Sequence, residues 1–154
     1  MNFPKFSTYL LALAAVLFLS AKPTLAQEQG ARFQRLGGWE VHFNTVATTF
    51  LEPSIAAQYN IRRSSARSLL NIAVLDATVA GKPAVDAEVT GSFLNVLGQR
   101  RTLNFTRVQE GEAIYFIADF GHDDDENLRF FIDIETENSS QELRFNDQFY
   151  HSIN

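Results

Sequence analysis

The chain contains no cysteine. That removes disulfides, thiolate metal ligands and thiol nucleophiles, and also the acylated cysteine that tethers a lipoprotein. Lysine is nearly absent, limited to Lys5, Lys22 and Lys82. No Gly-x-Ser-x-Gly elbow and no phosphate-cradling glycine loop occurs, and the three histidines, His42, His122 and His151, lack any short metal-ligand spacing. These absences point away from an enzyme and from a resident metal or cofactor. Long apolar runs are also lacking beyond the first: Tyr9 to Leu19 is uncharged and apolar, yet a bilayer needs about 20 such residues.

That first run has the layout of a secretory signal. Lys5 supplies a positive start, the apolar core follows, and Thr24-Leu25-Ala26 places small residues at the minus-three and minus-one positions. Cleavage after Ala26 is expected, with no stable membrane insertion afterwards and a periplasmic location in a Gram-negative cell. Removal of residues 1–26 takes away two lysines and no acid. It leaves 11 basic against 18 acidic residues, a formal charge of −7. An acidic chain with scattered cations is a poor ligand for nucleic acid or anionic lipid, because phosphate neutralisation needs clustered Lys and Arg.

The remainder is one domain's worth of chain. Residues 27–36 are polar and without period, read as a flexible lead-in, and residues 37–154 as a single domain. Trp39, Val41 and Phe43 alternate with polar residues, so a strand begins there. Val46 and Phe50 have the opposite parity. A one-residue slip turns side chains over, which predicts a bulge near Thr45 or a strand that changes sheets. Pro53 with Ile55, Ala56, Ala57 and Tyr59 reads as a short helix.

Leu69 to Leu75 is apolar on both faces and reads as a central strand. Further alternating runs surround Val89, Leu103, Phe116 and Ile132, and a last one spans Leu143 to Tyr150, with Gly91 a possible bulge site. The expected fold is all-β: an immunoglobulin-like β-sandwich of about seven antiparallel strands, with one short helix between the first two strands. A closed barrel is the alternative.

Three features are candidate sites. Arg62, Arg63 and Arg67 concentrate positive charge, and guanidinium forks suit a carboxylate or phosphate; alternatively they pair with local acids such as Glu52 or Asp147, or simply solvate the strand entry. Tyr115, Phe131 and Tyr150 sit at parities opposite to their strands' core residues, and on one shared face they would form a binding patch. Packing beneath the helix or the lead-in is the other reading. The run His122 to Glu126 lacks the alternate spacing of a calcium loop and reads as a solvated connection.

GWEVHFNTVATTFLEP, YNIRRS and LLNIAVL resemble the family grouped as domain of unknown function 4426, small exported proteins of Gram-negative bacteria. The resemblance runs from about Gly37 onward. It implies export and a β-rich domain, and transfers no functional residue. The functional expectation is a noncatalytic module that binds a protein partner in the periplasm, with a small-molecule or anion binder using the arginine cluster as the alternative.

Overall fold

The computed structural model describes residues 32–152. The expected signal segment, 1–26, lies outside the described residues. Among the described residues, nine strands form two antiparallel sheets. They are β1 (Arg32–Leu36), β2 (Trp39–Ala47), β3 (Arg67–Asp76), β4 (Glu88–Leu94), β5 (Arg100–Leu103), β6 (Thr106–Glu110), β7 (Ala113–Gly121), β8 (Glu126–Thr136) and β9 (Ser139–Phe149). The five-stranded sheet has the order β1-β2-β3-β7-β6, and the four-stranded sheet β5-β4-β8-β9. A 3₁₀ turn (Thr48–Phe50) and helix α1 (Pro53–Gln58) separate β2 from β3.

The sheets close on a core filled by inward side chains of both. Val41, Leu70, Ile72 and Val74 from the larger sheet meet Phe130, Ile132, Ile134 and Leu143 from the smaller one, all essentially free of solvent contact. With no disulfide, aromatic rings bridge the layers instead: Phe120 lies 5.4 Å from Phe93, 5.3 Å from Phe130 and 5.2 Å from Phe149. Tilted and edge-on contacts of this kind add stabilisation beyond their buried area.

A second, smaller core explains the parity slip in β2. The register of β2 on β3 runs without interruption from Trp39↔Asp76 to Ala47↔Ser68, so there is no bulge at Thr45 and no change of sheet. Val46 instead faces outward, where Leu51, Ala56 and Ile61 from the α1 region cover Leu69, Val108, Tyr115 and Ile117. The sheet is apolar on both faces because α1 covers part of its outer one. β3 therefore belongs to two cores, Ile72 to one and Leu69 to the other.

Three further local expectations change. Arg32–Leu36, placed by sequence in the flexible lead-in, is strand β1, paired residue for residue with β2. Gly91 sits in unbroken register opposite Ile132, with no bulge. A Cβ there would lie 2.7 Å from the Ile132 Cδ1 and 2.9 Å from the Phe131 carbonyl, so a close approach is what favours glycine. The alternation around Leu103 and Phe105 reads as one strand, but the chain crosses between sheets: β5 pairs with β4, and β6 pairs with β7.

Candidate functional site

One end of the sandwich gathers the segments that join or follow β2, β4, β7 and β9. Its loops are tied together by named bonds. Thr48 Oγ1 donates toward the Ser64 and Arg67 carbonyls and accepts from the Ser64 N–H. The Thr49 and Ser152 hydroxyls lie 2.8 Å apart, and the Ser152 N–H donates to the Ser65 carbonyl. The terminal segment is thus pinned across the loop that carries the arginines.

The three arginines share no hydrogen-bond partner among the described residues. Arg67 donates through Nε and Nη2 to Asp119, and Arg63 Nη2 donates to the Thr49 carbonyl at 2.7 Å. Arg62 is exposed, with no side-chain hydrogen bond among the described residues. Two of the three guanidiniums are therefore committed to separate partners on the protein itself.

The aromatic trio is dispersed. Tyr115 is buried in the second core, so the packing reading is the one the structure takes for it. That burial, with Glu110 nearby, raises its hydroxyl pKa. Phe131 stands on the outward face of the four-stranded sheet, half-buried. Tyr150 follows β9 and is 61% exposed. No common face holds all three.

Several groupings were not legible in sequence. Phe50, 72% exposed in the 3₁₀ turn, joins Tyr150 at the pinned end. Around Phe131, the Arg100 and Arg144 guanidiniums lie 5.1 and 5.7 Å from the ring centroid, within cation–π range. Glu40, buried on β2, contacts His42 and Lys82 at 2.8 Å each and Arg35 at 3.6 Å. The Lys82 hydrogen bond first, then that of His42, holds its carboxyl below the usual range.

The histidines bear on catalysis. His122, buried at the same end, has Nε2 3.1 Å from the Ser68 hydroxyl and Nδ1 2.9 Å from the Asp123 carbonyl. The carbonyl can only accept, so Nδ1 carries a proton, and in the neutral ring Ser68 donates to Nε2. This is the hydrogen bond of a nucleophile with its base, but Ser68 and His122 are both about 5% exposed or less, shielded from a substrate. The arrangement satisfies two buried polar side chains. Within the acidic run, Asp124 accepts from the His151 N–H and Asp125 from Gln148 Nε2. Among the described residues no three His, Asp or Glu side chains are grouped to hold a metal ion. None of the described helices is long and apolar enough to cross a membrane.

Comparison with known proteins places the chain. The family model for a domain of unknown function (DUF4426) matches residues 33–152. The crystal structure of a DUF4426 family protein from Pseudomonas aeruginosa PAO1 superposes with a TM-score of 0.71 at 34% identity, covering 82% of this chain and 100% of that one. FetP of uropathogenic E. coli strain F11, expressed recombinantly in the periplasm, matches with a TM-score of 0.55 at 10% identity, covering 80% of this chain and 95% of that one. A copper-bound FetP variant gives 0.57 at 10% identity, covering 79% and 96%. At that identity the likeness is one of fold alone. No curated protein matches the chain. On the family match and the relative at 34% identity, this chain belongs to the DUF4426 family.

Proposed function

We propose that this protein is a noncatalytic, periplasmic protein-interaction module of immunoglobulin-like topology. The strand orders support the topology: with β1 set aside, β2-β3-β7-β6 and β5-β4-β8-β9 follow the A-B-E-D and C′-C-F-G pattern of such sandwiches. Export rests on the signal-like leader, and mature protein isolated from the periplasm should begin at Gln27.

The observation that carries the interaction reading is the exposure of Phe50 and Tyr150 on segments bonded to each other. Of the large exposed apolar side chains, these are the two most exposed aromatics, at 72% and 61%. The Thr49–Ser152 hydroxyl contact fixes their segments at one end of the sandwich. Aromatic residues held on ordered loops suit hot spots, because they bring large contact area without much lost side-chain freedom. Arg62, exposed in the loop whose Arg63 donates to the Thr49 carbonyl, supplies a charge for the rim.

Two tagged forms, the wild type and the double variant Phe50→Asp/Tyr150→Ser, test this by crosslinked capture from periplasmic extract. A partner held by the wild type and lost from the variant is the expected result. Capture unchanged by the substitutions, or no specific partner, counts against it. The anion-binding alternative is not carried by the geometry, since Arg63 and Arg67 are already engaged.

A further inference from the structure

The outward face of the four-stranded sheet is divided by charge about a midline. Along that midline Ile132 pairs with Gly91 on β4 and with Leu143 on β9. On one side stand Arg129 and Arg144, with Phe131 between the guanidiniums of Arg100 and Arg144. On the other side stand Glu88, Asp133, Glu135 and Glu142. Alternation along β8 turns Arg129, Phe131, Asp133 and Glu135 to this face while Phe130, Ile132 and Ile134 fill the core.

The two ends also differ in shape. Beyond β4 on the basic side, the hairpin turn projects Val96 and Leu97, 75% and 78% exposed. Asn95 holds this turn rigid: its Oδ1 accepts from the Leu97 and Gln99 N–H groups, and its Nδ2 donates to Gln99 Oε1. On the acidic side lies an open cleft of about 700 Å³ lined by Asp86, Ala87, Glu88, Glu135 and Glu137, among others. One half of the face carries a prong and positive charge, the other a recess and negative charge.

We propose that this face binds a second copy of the chain across a two-fold axis that crosses the strands at the Gly91–Ile132–Leu143 midline. The positions match about that axis. Arg129 and Glu135 lie three residues from Ile132 on opposite sides, and Arg144 and Glu142 one residue from Leu143. The rotation therefore sets Arg129 over Glu135 of the partner subunit, while the Arg144–Glu142 pair, bonded within each chain at 2.6 Å, meets its own copy with the charges reversed. Strand β4 lies antiparallel to its copy, so Val96 and Leu97 reach the segment preceding Glu88, where the cleft opens. A self-complementary patch of this kind closes at two subunits.

The face is small. Seven residues each of β4, β8 and β9 and the four of β5, at about 3.3 Å per residue and about 4.8 Å between strands, give roughly 400 Å² per copy before the prong is counted. That is at the low end for specific complexes, so the dimer is weak and reversible, with a dissociation constant of about 10 to 500 μM.

Sedimentation equilibrium of the mature protein at 0.15 M salt, up to about 1 mM, tests the proposal. The wild type self-associates. Arg129→Glu and Glu135→Arg each weaken association at least about tenfold, and the combined Arg129→Glu/Glu135→Arg variant recovers to within about threefold of the wild type. Leu97→Asp weakens it as well. All three positions are solvent-exposed, and far-UV circular dichroism checks each fold. A wild type that stays monomeric, single variants that associate normally, or a double variant that fails to recover would overturn the assignment.

Discussion

Ile72→Ala tests the idea that β3 is the seam of the structure. Ile72 is wholly buried, paired with Phe43 on β2 and Phe116 on β7, in the core between the sheets. The change removes three carbons. At about 0.8 kcal/mol for each, lost transfer energy alone comes to about 2.4 kcal/mol. Ile72 is flanked on both sides by paired strands, so the site collapses little and a cavity cost adds to this, for a total of about 3 to 5 kcal/mol. Trp39 is the chain's sole tryptophan and is buried beside this core, which makes urea titration followed by its fluorescence a suitable assay. A lowered midpoint at unchanged slope is expected, with a melting temperature lower by about 10 °C or more. A loss below about 1 kcal/mol would refute the central placement of β3.

The close approach at Gly91 predicts that Gly91→Ala costs about 1 to 3 kcal/mol in the same titration, since the Phe131 carbonyl cannot move aside as a side chain would. Glu40 governs part of the acid limb of stability. Its folded pKa lies below the ordinary value, so its contribution is present above the unfolded-state pKa and lost as pH falls through the folded one. Glu40→Gln should lower the urea midpoint at pH 7 and flatten its fall below about pH 4.5. Glu110 has the opposite sign: burial raises its pKa, so its charge costs stability as pH rises. Glu110→Gln should raise the midpoint at pH 7 and leave it unchanged at pH 3.

Period-two alternation was readable wherever one face of a strand is wet, as in β8, where Arg129, Asp133 and Glu135 separate Phe130, Ile132 and Ile134. It misled where that condition fails. In β2 the apolar residues of both parities suggested a bulge, because alternation shows which face a side chain takes and not what covers the face. The same gap placed Tyr115 on a surface that the α1 region in fact covers. Leu103 and Phe105 kept their alternation across a change of sheet, since both still turn toward the same core. β1 was hidden because its few apolar residues carry little period of their own and its order comes from pairing with β2.

For the candidate site, the clustering of the arginines was visible and their engagement was not: Asp119 is 52 residues from Arg67 along the chain. Arg100, Phe131 and Arg144 sit on three different strands, so only sheet pairing brings them together. The segments that carry Phe50 and Tyr150 are joined by the Thr49–Ser152 contact, between positions 103 residues apart.

The interaction reading is tested most directly in living cells, with a photo-crosslinking amino acid placed singly at Phe50, at Tyr150 and, as a control in the β3–β4 loop, at Val79. The account predicts one common crosslinked partner from positions 50 and 150, and none from position 79. Crosslinks absent from both test positions, or identical from all three, would contradict it.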